Sequence, residues 1–182
     1  MEEIEEMAHY SKSLWPSLPT AVGGVRPGLL RGFDWHDLDI AWPQWAGPLY
    51  GGGAGRTPEE FRDENVAYAK ALGLGLIFGL NVLDGGDGSS GIPGTRQAHW
   101  RMTGAELQQA GLVLAETPYA CALFIWRHDL ESERRPGIRT TLDTIAFAAA
   151  ARGGTSCIRH PTAGNTPTPS DTSRASDTTA AP

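Results

Sequence analysis

Two carboxylates of this chain each follow an apolar stretch, and such a pair could carry out acid/base chemistry. Asp84 follows one such stretch and Asp129 follows another, with Asn81, Trp126 and His128 close to them in sequence. Glycoside hydrolysis normally uses two carboxyl groups across the scissile bond, one as acid and one as nucleophile or base. Asp84 and Asp129 are therefore the candidate catalytic pair.

The candidate substrate-binding residues lie at the ends of predicted strands. Tryptophan offers an apolar face to a sugar ring, while Asn, Gln and Arg side chains bind its hydroxyls, and His128 is either an acid/base or a hydrogen-bonded spacer. The residues of this kind are Arg26, Trp42, Gln44, Asn81, Trp126 and His128. Structural roles remain open beside these: Asp84 precedes two glycines and fits a turn, and Asp129 fits an ion pair with Arg127.

The apolar stretch from Leu74 to Val82 is the element that must position several of these side chains. It carries no charge, and Asn81 is its one polar side chain. A short apolar run that ends in glycines is typical of a strand buried on both faces, as in a parallel sheet. The glycines inside it would weaken a helix by roughly 1 kcal/mol each. We therefore predict a strand over 74–82.

The other elements alternate between strand and helix along the chain. Strands are predicted at 18–25, 38–44, 74–82 and 120–126, and helices at 2–15, 58–72, 104–116 and 136–152. Two helices begin with a capping box, Thr57 with Glu60 and Thr103 with Glu106. This alternation predicts right-handed βαβ units and a parallel sheet, whose strand ends bring the candidate residues to one rim.

The overall composition narrows the function classes. The chain has 182 residues and a formal net charge of −6, which argues against a nucleic-acid partner. It has no apolar run long enough to span a membrane and no nucleotide or zinc motif, so we expect no cofactor and no metal. Residues 161–182 are rich in Thr, Ser, Pro and Ala and are predicted to be disordered, which leaves 1–160 as the folded domain.

Four parallel βα units would form only part of a closed barrel. A TIM (β/α)8 barrel needs eight strands and typically about 250 residues. We therefore predict a partial TIM barrel, an α/β fold with open sheet edges that pair with a missing barrel half or with a second copy. The alternative fold is a small open three-layer α/β domain.

Three segments carry a resemblance to a known group of proteins. Three sequence segments resemble the C-terminal half of secreted, glycoside-hydrolase-like bacterial (β/α)8-barrel proteins. They are AYAKALGLGLIFGLNVLDGG, MTGAELQQAG and YACALFIWRHD. The resemblance covers 1–157 and implies a carbohydrate ligand and an extracellular or periplasmic parent, whose export signal is not visible in this chain. Barrel glycosidases of the commonest kind carry their acid/base after strand four, which is outside this half. We therefore expect a fragment that is inactive alone; the alternative is a non-catalytic carbohydrate-binding or assembly protein.

The same half-barrel arrangement predicts that the two cysteines lie close together. Cys121 would begin the last strand and Cys157 would follow the last helix, so both would lie at the bottom of the barrel. They could form a disulfide there, or remain two free cysteines. A disulfide would favour an exported parent protein.

Overall fold

The computed structural model describes residues 2–32, 35–45, 47, 55–81, 103–126, 137–154 and 157. Its helices are α1 (Glu2–Leu14), α2 (Pro58–Leu72), α3 (Gly104–Ala115) and α4 (Ile138–Arg152), with a 3-10 helix at Pro27–Leu30. Its strands are β1 (Ala21–Gly23), β2 (Ile40–Trp42), β3 (Gln44–Trp45), β4 (Gly75–Asn81) and β5 (Ala120–Trp126). The predicted α/β class is confirmed. In the described ranges, no helix combines the length and apolar character needed to cross a bilayer.

All strand pairs of the described sheet are parallel, as predicted, and spatial neighbours follow chain order. β2 and β3 both pair with β4 on the same side, and β5 pairs with β4 on the other. β2 and β3 are thus two segments of one line, separated by Pro43. We predicted one strand that ends near Pro43; instead, pairing resumes after it. Proline cannot donate to the ladder, but its carbonyl still accepts from Gly79 N at 2.9 Å.

The central strand β4 has two chemically different faces. Leu76, Phe78 and Leu80 have no solvent exposure and join a core cluster with side chains from α2, α3 and α4. Alternation along a strand places Ile77 and Gly79 on the opposite face. The predicted buried strand is therefore confirmed, with bounds one residue inside those expected at each end.

A second core cluster lies under α1 and the first two strands. Leu30, Trp35 and Leu38 are its largest buried members, and Ile4 of α1 packs against them. Polar contacts also hold α1 in place: Lys12 Nζ lies 2.6 Å from Asp39 Oδ2. This cluster fixes the position of the helix that precedes the sheet.

The first strand is much shorter than the predicted 18–25. Before it, Thr20 N donates to the Asp39 carboxylate at 2.8 Å instead of pairing along a strand. After it, Gly24 has a positive φ of 73°, a turn conformation that ends the extended run. The hydrogen bond before β1 and the turn conformation after it limit this strand to three residues.

The predicted capping boxes are present in both helices that begin with threonine. Glu60 N donates to Thr57 Oγ1 at 3.1 Å, and Thr57 N donates to Glu60 Oε2 at 2.8 Å. Thr103 and Glu106 make the same reciprocal pair at the start of α3. Each box satisfies two backbone donors that a helix start leaves unpaired, and thus fixes where the helix begins.

A disulfide joins Cys121 to Cys157, with a Cα–Cα distance of 5.1 Å. Of the two alternatives left open by the sequence, a disulfide or two free cysteines, the structure has the disulfide. The ladder between β4 and β5 shifts by one residue at this point, which leaves Cys121 as an extra residue in β5. A Cβ on Gly75 would lie 3.6 Å from the Cys157 carbonyl carbon. The bond therefore secures the chain after α4 at the amino-terminal end of the sheet.

Replacing both cysteines, Cys121→Ser with Cys157→Ser, should lower the free energy of unfolding by about 2–4 kcal/mol, because the bond restricts the unfolded chain. Urea denaturation followed by circular dichroism measures this. Adding a reductant to the natural sequence should lower its midpoint to that of the double variant, while the variant itself should not respond to reductant. Equal midpoints for all samples would show that the bond contributes nothing.

Candidate functional site

The face of the sheet opposite the helices is the candidate functional site, here called the open face. It includes the alternate residues Gly23, Trp42, Gln44, Ile77, Gly79, Ala122 and Phe124. One row across it is given directly by the strand register, in which Gln44 pairs with Gly79 and Gly79 with Phe124. Phe124 is 41% exposed, so this face is partly open to solvent.

Trp42 extends across the backbone of β4 to reach β5. A Cβ placed on Gly79 would lie 2.7 Å from Trp42 Nε1 and 3.2 Å from Gln44 Cγ. The Trp42 and Phe124 rings meet edge to face, with centroids 4.7 Å apart and planes at 75°. Because Gly79 has no side chain, the indole can cross the strand and make this contact with β5.

The indole nitrogen of Trp42 is an unpaired donor. Among the described residues, Nε1 of Trp42 is buried and has no hydrogen-bond partner. Leaving a buried donor unpaired costs about 1–3 kcal/mol, and most native proteins avoid it. A ligand oxygen on the open face would satisfy this donor.

The next tryptophan along the chain belongs to the other side of the sheet. Trp45 is 2% exposed and packs edge to face against Phe61, with ring centroids 5.3 Å apart. It pairs with Leu80, which also faces the helices. Of these two tryptophans, only Trp42 therefore stands on the open face.

Asn81 ends β4 at the carboxyl end of the sheet, as predicted. It is 6% exposed, and alternation places it on the same face as Gly79, two residues earlier. Its backbone is in register with Trp126 of β5. Trp42, Gln44 and Asn81 are thus brought to one face, in register with the strand that ends at Trp126.

Arg26, by contrast, lies on the helix side of the sheet. It lines a cavity of about 200 Å³ between the 3-10 helix and α2. The described residues around it are Arg26, Gly28, Leu29, Arg31, Arg56, Glu64, Asn65 and Tyr68. The structure therefore separates Arg26 from the tryptophan and amides with which we had grouped it.

The predicted catalytic pair and one predicted binding residue lie outside the described residues. These are Asp84, Asp129 and His128. The predicted disordered segment 161–182 is also outside the described ranges. Among the described residues, no group of three or more His, Cys, Asp or Glu is arranged to hold a metal ion.

Phe124 was missed as a candidate because β5 was predicted to be buried on both faces. In the structure Leu123 and Ile125 pack against the core cluster, whereas Phe124 lies on the opposite face and is 41% exposed. The signal was present in the segment YACALFIW, where alternation assigns Ala122 and Phe124 to one side.

Comparison of the chain with protein-family models, with curated proteins and with solved structures finds no match. Inferences about function therefore rest on the geometry of the open face and of the Arg26 cavity.

Replacing Gly79 with alanine should lower the free energy of unfolding by about 1–3 kcal/mol, because the new methyl group would overlap Trp42 Nε1. Alanine is otherwise acceptable in a strand, so the close approach of Trp42 is what makes Gly79→Ala destabilising. Urea denaturation of Gly79→Ala measures the effect.

The matched control is Gly154→Ala, where a Cβ would meet no atom within 4 Å. It should change stability by less than about 0.5 kcal/mol. In a double-mutant cycle, Trp42→Leu should reduce the cost of Gly79→Ala. A Gly79→Ala protein as stable as the natural chain would contradict the crossing of β4 by Trp42.

Proposed function

We propose that this chain is part of a carbohydrate-active, glycoside-hydrolase-like TIM barrel, in which the open face is the barrel interior and binds a sugar. The order of the strands supports the barrel. Their neighbours follow chain order without reversal, whereas a doubly wound open sheet reverses its order at a switch point. Successive parallel strands that keep one direction are how a (β/α)8 barrel is built.

The observation that supports carbohydrate binding best is the combination of Trp42, Phe124, Gln44 and Asn81 on one face toward the carboxyl end of the sheet. Two aromatic rings that meet edge to face offer apolar surface for the C–H groups of a sugar ring. Each amide side chain carries both a donor and an acceptor and therefore suits hydroxyl groups. The unpaired Nε1 of Trp42 adds a donor that a sugar oxygen would satisfy.

The proposed chemistry is acid/base glycoside hydrolysis in the complete barrel. Asp84 follows β4 and Asp129 follows β5, so both come after the strand ends where barrel enzymes keep their catalytic groups. One would protonate the leaving oxygen while the other acts as nucleophile or base. Carboxyl groups about 5–5.5 Å apart retain the anomeric configuration, and a separation of about 6.5–9.5 Å inverts it.

The remaining strands would come from a partner. β1 and β5 each have one neighbour in the described sheet, so each lies at an edge of that sheet. A missing barrel half or a second copy of this chain would pair with these edges and close the sheet. The disulfide supports an exported parent, since such bonds persist in oxidising compartments.

Isothermal titration with a panel of neutral oligosaccharides tests the sugar site. Trp42→Ala and Gln44→Leu should each weaken binding by about tenfold or more, equivalent to about 1.4 kcal/mol. The control Trp15→Ala removes a tryptophan that is 56% exposed beyond α1 and should leave affinity unchanged. The proposal would be contradicted if no neutral oligosaccharide binds. It would also be contradicted if Trp42→Ala binds the sugar as tightly as the natural chain does.

A titration and a reducing-sugar assay, both made on the completed barrel, separate an enzyme from a binding protein. Loss of reducing-sugar release with retained binding in Asp84→Asn or Asp129→Asn would identify a hydrolase. Binding without any release, even with all eight strands present, would identify a non-catalytic carbohydrate-binding protein.

A further inference from the structure

We propose that the cavity between the 3-10 helix and α2 is a second binding site, which takes a small oxyanion that also carries a hydroxyl group. The oxyanion is a carboxylate or a phosphate. This site is separate from the open face, and its existence does not depend on the proposed sugar site.

Positive charge is concentrated on the cavity wall. Arg26, Arg31 and Arg56 line it, and Glu64 is the acidic residue among the described lining residues. Glu64 is already held by Arg56, whose Nε lies 2.6 Å from Glu64 Oε2. Two guanidinium groups therefore remain in excess, in a chain whose formal net charge is −6. The cavity wall therefore carries positive charge although the chain as a whole is negatively charged.

The two remaining guanidinium groups are free to donate to a ligand. Arg31 Nε donates to the Gly28 carbonyl at 3.1 Å, and its guanidinium lies 4.5 Å from the centroid of the Tyr68 ring. These contacts orient the group and leave its terminal N–H donors unused by any carboxylate in the described part of the chain. Arg26 makes no side-chain hydrogen bond or ion pair with a described residue. Planar guanidinium groups match the paired oxygens of carboxylate and phosphate.

Asn65 supplies the second, independent observation. It lines the same cavity and is 1% exposed, and its Nδ2 donates to the Phe61 carbonyl at 2.6 Å. Its Oδ1 is buried and has no hydrogen-bond partner among the described residues. An unpaired buried acceptor needs a donor, which an oxyanion alone does not supply. A hydroxyl on the ligand would supply it.

The size of the cavity limits the ligand. About 200 Å³ is below the roughly 300–1,000 Å³ of sites for drug-sized molecules. The site therefore fits a hydroxy acid, a sugar acid or a protonated inorganic phosphate better than a nucleotide or a peptide.

Isothermal titration of the full chain at low salt, with inorganic phosphate, D-glucuronate and D-glucose as probes, tests this site. We expect phosphate or glucuronate to bind and glucose, the neutral analogue, not to bind at this cavity. Arg26→Gln and Arg31→Gln should each weaken anion binding by about tenfold, and added sodium chloride should weaken it further.

The matched control is Arg62→Gln, which removes an arginine of α2 outside the cavity. Arg62 pairs with Asp63 at 2.7 Å and does not line the cavity, so anion affinity should not change.

Glucuronate binding without phosphate binding would assign the ligand as a sugar acid, and the reverse would assign it as a phosphate; either supports the site. Binding of neither probe would overturn it. So would equal losses in Arg62→Gln and Arg26→Gln, because binding would then follow overall charge. Trp42→Ala should leave anion binding unchanged, so failure of the sugar site and failure of this site give different results.

Discussion

The pairing of β4 with a strand along each of its two edges is the constraint on which the rest of the structure depends. Its two edges are paired, one with β2 and β3 and the other with β5. Leu76, Phe78 and Leu80 are wholly buried against the helices, each contributing about 1.5–3 kcal/mol of apolar burial. On the opposite face Gly75 and Gly79 carry no side chain, so the neighbouring strands fill that space. One strand thus sets both the core and the open face.

The two candidate sites share one physical feature, a buried polar atom that has no hydrogen-bond partner in the described part of the chain. On the open face it is the donor Nε1 of Trp42, and in the arginine-lined cavity it is the acceptor Oδ1 of Asn65. Each costs free energy in the unliganded protein, and each would gain a partner from a hydroxylated ligand. Their surroundings differ, because the first lies beside aromatic and amide groups and the second beside guanidinium groups. The first therefore suits a neutral sugar and the second an oxyanion.

Features that depend on local sequence were predictable. The apolar run gave β4, and the threonine–glutamate spacing gave both capping boxes. Features that depend on pairing between distant segments were not predictable. Pro43 lies between two strand segments because the residues before it and the residues after it both pair with β4. The same is true of the site, since Arg26 joins α2 through the tertiary position of the 3-10 helix. The disulfide was only partly predictable, because strand direction and helix length bring Cys121 and Cys157 to the same end of the sheet but do not decide whether they are bonded.

The central claim is that same-direction strands place Gln44 and Phe124 on either side of Gly79 in one row. Backbone nuclear Overhauser contacts on isotope-labelled full chain measure this directly. The account predicts contacts from the Gly79 region to both Gln44 and Phe124, in the pattern of parallel strands. An antiparallel pattern between β4 and β5, or a strand between Gly79 and either neighbour, would contradict it.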